Sequence, residues 1–451
     1  MDLTSHTYSY YYGFAYALPI LIGYISDKYL NKSTALTIGF ISMILSQFIL
    51  SFSSSLYQPS NIVYNNYFFS LQNITFATGL FFLALGTSFT TLSITHIIYS
   101  INEENSVINA FSIYYPILNL GVLIGIIMIS VIIGDENYHL YEVAFLLFGN
   151  ILIAGLIAFH LLKNKYLVDN EGELMKEGHS KDSIRIESDS LLHKLSSKSI
   201  SEIKGLNFKE RFNLFNISLS PVEKDRLIVF LIFLVIIIFY RIAYSQSSTA
   251  GVFFIDSFVN RDLNTFTVPV QLFFVLNPLF ILILSPIFIK INQILENKNI
   301  EFDFIKRTTL AMLVISLCFA MLTVLGFYLD IDVMDEINMI WIIIFELLIA
   351  ISELLFAIAG YSIVKDLTPQ KYYSLFFGLF IATRSISMYL SGKLSVLFPE
   401  SENITFIHNI PTNGLMQYFL MIFFLSLIGA MILFAFRKKL RRKMHLEEIT
   451  S

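Results

Sequence analysis

The sequence predicts an all-α polytopic membrane protein, on three observations. The 451 residues are 55% hydrophobic and 14% charged, against about 25% charged in a soluble domain, which leaves too few charges to cover a water-facing surface. Mean hydropathy is +0.68. Continuous apolar runs such as "LIVFLIFLVIIIFY" are long enough for helices of about 20 residues that cross a bilayer. They exclude the alternating ten-residue strands of a membrane barrel.

Eleven spans are expected, at 8–28, 33–54, 74–100, 106–134, 140–163, 226–258, 268–290, 306–329, 338–366, 371–397 and 414–437. Those longer than 25 residues imply tilt or extension past the hydrocarbon. The first five form an amino-terminal helical bundle over 1–163, and the last six a carboxy-terminal bundle with a basic tail over 226–451. Between them lies 164–225, "VDNEGELMKEGHSKDSIRIESDSLLHKLSSKS…", with charges of both signs mixed with serine. It reads as a cytoplasmic polar linker.

Lysine and arginine set the orientation. With the tail "FRKKLRRK" placed inside, 163–226 and the other inside segments hold all but four of the 30 Lys and Arg. Arg261 and Lys393 fall near the outer side, and Arg241 and Arg384 fall within helices. This predicts a multi-pass protein of the inner or plasma membrane with a cytoplasmic C-terminus and an outside N-terminus. The N-terminal segment is not expected to be a cleavable signal peptide. The single cysteine, Cys318, lies in an apolar run and permits no intrachain disulfide.

Charges at mid-span point to function, because each costs about 2.5–3.5 kcal/mol on insertion scales. In "LLIAISELLFAIAG" (347–360), Glu353 stands near the middle of its span. Glu346, seven residues earlier, shares nearly the same helical face. A structural, hydrogen-bonded carboxyl is one reading. The other is a carboxylate facing a cavity and able to hold a proton or a substrate ammonium, since desolvation favours its neutral form. Arg241 and Arg384 are the possible charge partners of Glu353 and Glu346, and the sequence does not choose the pairs. Gly121 and Gly125 form a small-xxx-small pair of the kind used in helix packing. Motifs for zinc hydrolysis, nucleotide binding or a serine nucleophile are absent, so no enzyme, metal or cofactor is expected, and no nucleic acid.

Four stretches, in order, resemble the proton-dependent oligopeptide transporter (POT) family of the major facilitator superfamily. They are "YALPILIGYISDKYLNKSTALTIG" (16–39), "FSIYYPILNLG" (111–121), "QSSTAGVFFIDSFVNRDL…VPVQLFFVLNPLFILILSPIF" (246–288) and "ISELLFAIAGYSIVKDLTPQKYYSLFFGLF" (351–380). The resemblance implies a two-bundle transporter working by alternating access, driven by protons, with di- and tripeptides as substrates. It matches Glu353 to the tenth-helix glutamate thought to meet the peptide amino group. Tyr16, Asn119 and Asn277 match positions lining the peptide pocket, and Asp27 a loop acid that helps control the cytoplasmic gate. A helix-packing amide is the competing reading for Asn119, and a kink partner before Pro278 for Asn277.

The chain also departs from the family. The first family helix, with its Glu-x-x-Glu-Arg motif, has no counterpart here. "GTSFTTLS" (86–93) lacks the Lys-Pro pair of the fourth helix. Ser245 stands for an acid, and Arg241 for an aromatic. Arg241 or Arg384 is the candidate replacement for the missing cation. The expected function is therefore proton-coupled uptake of small peptides by a monomer. The alternatives are a related carrier for amino acids or another small solute, and a non-transporting receptor or relic.

Overall fold

The computed structural model describes residues 2–56, 70–101, 107–133, 140–166, 220–264, 266–298, 302–368, 373–399, 406–407 and 410–445. The linker expected at 164–225 lies mostly outside them. Thirteen helices run in chain order: α1 (Asp2–Tyr29), α2 (Lys32–Ser55), α3 (Leu71–Ile101), α4 (Val107–Ile133), α5 (Tyr141–Tyr166), α6 (Pro221–Gln246), α7 (Ala250–Phe258), α8 (Val270–Phe273), α9 (Leu276–Asn297), α10 (Phe304–Asp330), α11 (Ile340–Leu367), α12 (Tyr373–Ser395) and α13 (Leu415–Lys443). Two short pairings join connections outside the helices: Val259–Asn260 parallel to Ile337–Asn338, and Phe406–Ile407 antiparallel to Ile410–Pro411.

Starts of helices follow local chemistry. Asn31 accepts from the Thr34 amide at 2.6 Å to cap α2. Ser220, Pro221 and Glu223 make a capping box at α6. The Asp303 side chain caps α10 through the Lys306 amide at 2.9 Å. α13 begins differently. Its Leu415 and Met416 amides donate to the carboxylate of Asp330, from the end of α10, at 2.9 and 2.8 Å. Gly414 lets that carboxylate approach, since a Cβ there would lie 2.3 Å from Asp330 Oδ2.

Two of the expected spans are broken rods rather than single helices. Between α6 and α7, the hydroxyls of Ser247, Ser248 and Thr249 donate back to the carbonyls of Tyr244 and Ser245, competing with the helix ladder. Between α8 and α9 the break falls at Phe274–Val275. Pro278 lacks an N–H, and its ring conflicts with the carbonyl four residues earlier, at Phe274. Counting each broken rod once gives eleven rods among the described residues, in the positions the hydropathy predicts. Nine are long and apolar enough to cross a membrane, and the other two, α1 and α12, pack along each other.

Helices α2 and α3 approach closely through glycine. A Cβ on Gly86 would meet Met43 Cγ at 2.5 Å, and one on Gly39 would meet Thr90 Oγ1 at 2.5 Å. The Gly121–Gly125 pair has no such role. Nothing lies within 4 Å of a Cβ at Gly121, and one at Gly125 would only touch Phe148 at 4.0 Å. The largest core runs through α6–α13, around Tyr240, Phe254, Phe319 and Phe419. A smaller one, with Leu18, Ile22, Ala35, Ala84 and Phe89, joins α1, α2 and α3. A third, Ile281, Ala350 and Leu354, lies on α9 and α11 and receives Tyr115 of α4. The amino-terminal helices thus meet the carboxy-terminal ones along two seams, α1 on α12 and α4 on α9.

At the far end of α13 the basic tail is tied down. Arg441 Nε bonds Asp303 Oδ2 at 2.6 Å, and Lys443 and His445 reach Asp225 at 3.5 and 3.1 Å. Arg226 Nε donates to the Met444 carbonyl at 2.9 Å. Each such surface pair contributes about 0–1 kcal/mol. Together they fix the end of α13 to the starts of α6 and α10.

Candidate functional site

Glu353 lies halfway along α11 and is half-buried. Its carboxylate joins helices of both sets. Tyr244 of α6 donates to Oε2 at 2.6 Å, and the Tyr115 hydroxyl of α4 donates to Oε1. Tyr115 packs against the α9–α11 core of Ile281, Ala350 and Leu354. The bond from Tyr115 therefore joins the amino-terminal helices to the carboxy-terminal ones through one ionisable atom pair. Neither arginine forms an ion pair with Glu353 among the described residues, so the expected Arg–Glu pairing is replaced by two tyrosine hydroxyls. Glu346, one face-turn earlier on α11, is buried at 2% exposure.

The arginines stand on aromatic rings instead. The Arg384 guanidinium of α12 lies 4.7 Å from the Tyr16 ring of α1, and Tyr16 stacks on Tyr12 at 5.9 Å. Contacts of this type contribute about 0.5–2 kcal/mol according to exposure. One residue on, the Ser385 hydroxyl donates to the Gly13 carbonyl, pinning α12 to α1. Arg384 keeps an exposed surface while lying within electrostatic range of Tyr16, Tyr244, Tyr115 and Glu353. Arg241 of α6 lies 4.7 Å from the Phe380 ring and 5.6 Å from Phe356. Its Nε and Nη1 are buried and have no hydrogen-bond partner.

The other expected site residues fall as follows. The Asn119 side chain is buried at 6% exposure and donates to the Tyr115 carbonyl of its own helix at 3.0 Å. It thereby braces the turn that presents Tyr115. Asn277 precedes Pro278 just after the α8–α9 break, and its Nδ2 is buried without a partner. Asp27 belongs to α1, and its side chain lies outside the described residues. Sequence reasoning missed Tyr115 and Tyr244. Both had a signal: Tyr115 is one turn before Asn119, and Tyr244 one turn after Arg241.

A separate polar cluster braces this region. Gln246 Nε2 donates to the Ser391 carbonyl and hydroxyl at 3.1 and 3.0 Å, and Gln246 Oε1 accepts from Tyr418 at 2.8 Å and Thr249 at 3.1 Å. Every polar atom of that carboxamide is satisfied, so it locks α6, α12 and α13 together. A cavity of about 380 Å³ between α2, α4 and α5 is lined by Gln47 and by apolar side chains such as Phe145 and Phe148. It includes none of the charged residues above. No cluster able to hold a metal occurs among the described residues.

The arrangement sets one carboxylate and two cations on α11, α6 and α12, close to where two sets of helices meet. Solved structures share the fold. The chain superposes on "peptide transporter POT in complex with sulfate" with a TM-score of 0.73 at 18% identity, covering 98% of this chain and 87% of that one. A POT family transporter in complex with 5-aminolevulinic acid gives 0.72 at 18%, covering 97% and 88%. The sequence profile described as PTR2, POT family, matches residues 30–416, and the chain belongs to that family of membrane transporters. Among curated relatives, dipeptide and tripeptide permease B of Aliivibrio fischeri (strain MJ11) is 23% identical over 419 residues, covering 88% of this chain and 79% of the relative. The protein of the same name from Yersinia enterocolitica (strain NCTC 13174 / 8081) is also 23% identical, over 418 residues. The chain is thus a multi-pass transporter and not an enzyme.

Proposed function

We propose that this protein takes up di- and tripeptides together with protons, by alternating access around a site centred on Glu353. One observation carries the reading: a mid-span carboxylate holds hydroxyls from both sets of helices at once. An ionised carboxylate accepts both bonds. A protonated one has a donor in place of part of that acceptor capacity, so protonation loosens the link between Tyr115 and α11. A substrate ammonium competes for the same oxygens. Proton and peptide then act on one group in succession: the ammonium displaces the tyrosine hydroxyls from the carboxylate, and a proton taken up by Glu353 in the loaded cavity neutralises it, so that the two helix sets reorient with proton and peptide both aboard.

Arg384, over the Tyr16 ring, serves the peptide carboxylate. Tyr16 and Asn277 line the pocket, and Asn119 positions Tyr115. Asp27 acts at the gate near the end of α1. The helices before the linker and those after it move as two bundles against the site. The name of the permease relatives and the solved peptide complexes among the structural relatives support the substrate class. The basic end of α13, following the positive-inside rule, supports a cytoplasmic C-terminus in an inner or plasma membrane, and the working unit is taken to be a monomer. A small amino acid is the second reading, favoured by the 5-aminolevulinic acid bound to one structural relative.

Liposomes containing the purified protein test this. Labelled dialanine should accumulate under an inward proton gradient and equilibrate without accumulation when the gradient is collapsed. Accumulation that ignores the gradient removes proton coupling. Flux of a free amino acid but not of dialanine replaces the first reading by the second.

A further inference from the structure

The site holds more positive charge than a zwitterionic peptide requires. Arg384 and Arg241 are both cationic, since arginine stays protonated in proteins. Glu353 is the one carboxylate among the groups acting electrostatically on Arg384. Those acting on Arg241 are Arg384, Tyr16 and Tyr240, with no carboxylate among them. Arg241 therefore faces a like charge, offset by the rings of Phe380 and Phe356. Its Nε–H and one Nη1 group are buried, with no acceptor. A buried charge without a partner destabilises the fold, and a buried donor left without an acceptor adds to that cost. A chain that keeps such a group at mid-span, one turn from the Tyr244 that bonds Glu353, holds it for a ligand that brings the missing anion.

We propose that Arg241 is the binding site for a second ligand carboxylate, so that the preferred substrates are acidic peptides carrying one ammonium and two carboxylates. In that complex Glu353 takes the ammonium, Arg384 the terminal carboxylate, and Arg241 the side-chain carboxylate, through the N–H groups now without acceptors. Arginine suits the task because its planar fork meets a carboxylate with two parallel bonds. A ligand of net charge −1 leaves the loaded site neutral when Glu353 is ionised. A neutral dipeptide leaves it at +1, and a lysine-containing one at +2. The order of preference is therefore acidic, neutral, basic.

This inference rests on the peptide-uptake reading, and wild-type protein separates the two. In liposomes under an inward proton gradient, unlabelled alanyl-glutamate, dialanine and alanyl-lysine are each set to compete with labelled dialanine. Alanyl-glutamate should compete at a concentration at least about tenfold lower than dialanine, equivalent to about 1.4 kcal/mol, and alanyl-lysine should be the weakest. Dialanine uptake with equal competition, or stronger competition by alanyl-lysine, overturns the second-carboxylate site and leaves peptide transport standing. No uptake of any of the three overturns both. Arg241→Gln should reduce the alanyl-glutamate to dialanine preference to about one, and Arg241→Lys should retain part of it. A preference unchanged in Arg241→Gln places the second carboxylate elsewhere and refutes the assignment.

Discussion

Replacing Glu353 by glutamine isolates the carboxylate's charge with almost no change of shape. In the native site two tyrosine hydroxyls donate to one anion. Hydrogen bonds to charged groups contribute about 1.5–3 kcal/mol, against about 1 for neutral ones. The glutamine oxygen can keep one tyrosine, and its NH₂ must find the other tyrosine turned round as an acceptor. The two bonds together lose about 2 kcal/mol, and a substrate ammonium loses a similar amount at the same oxygens. That corresponds to roughly a thirtyfold weaker peptide affinity. The variant also fixes the site in an uncharged state. Two assays on the same liposomes should therefore diverge. Counterflow, in which labelled dialanine exchanges for internal unlabelled dialanine without a gradient, should persist at raised peptide concentration. Gradient-driven accumulation should fall to the counterflow level. Accumulation in Glu353→Gln equal to wild type, at equal protein in the membrane, would refute the reasoning.

The remaining predictions concern the parts that hold this carboxylate. Tyr115→Phe removes the bond that crosses between the helix sets and leaves Tyr244 in place, so half-saturation for dialanine should shift three- to tenfold, about 1 kcal/mol, as read by uptake against concentration. Gly414→Ala sets a methyl 2.3 Å from Asp330 Oδ2 and should displace the cap of α13; a loss of about 1–3 kcal/mol is expected, seen as a lower melting temperature in detergent, while an unchanged melt would show that the cap is not needed.

Much of the architecture is legible in the sequence because bilayer thickness imposes it. Runs of Ile, Leu and Phe near 20 residues long account for nine of the eleven rods, and the other two, α1 and α12, pack along each other. The two breaks are not legible in hydropathy. "QSST" at 246–249 reads as mild polarity, and only back-bonding of three successive hydroxyls turns it into an interruption. Pro278 is visible in sequence, but whether a proline bends, breaks or is absorbed depends on its surroundings: α1, α4 and α9 run on through Pro19, Pro116 and Pro286.

The site was legible in part for the same kind of reason. An acid at mid-span is conspicuous, so Glu353 stands out from "LLIAISELLFAIAG". Its partners lie 238 residues before it, in Tyr115, and 109 before it, in Tyr244, and no local pattern records such distances. Charge counting offers Arg241 and Arg384 as possible partners of Glu353 or Glu346 without choosing a pair. The structure sets both arginines on aromatic rings instead, a pairing that hydropathy and charge do not reveal. For Asn119 the sequence leaves a pocket residue and a helix-packing amide both open; its side chain donates to the Tyr115 carbonyl of its own helix. Gly121 and Gly125 have helix-packing spacing without a packed partner, which shows that spacing alone does not make a contact.

The most direct measurement is proton entry triggered by peptide. Liposomes holding the wild-type protein and an internal pH indicator, with the outside slightly acidic, receive external dialanine. If proton and peptide share Glu353 as described, dialanine acidifies the interior, and Glu353→Gln abolishes the signal while counterflow continues. Dialanine entry with no acidification would contradict the account at its centre.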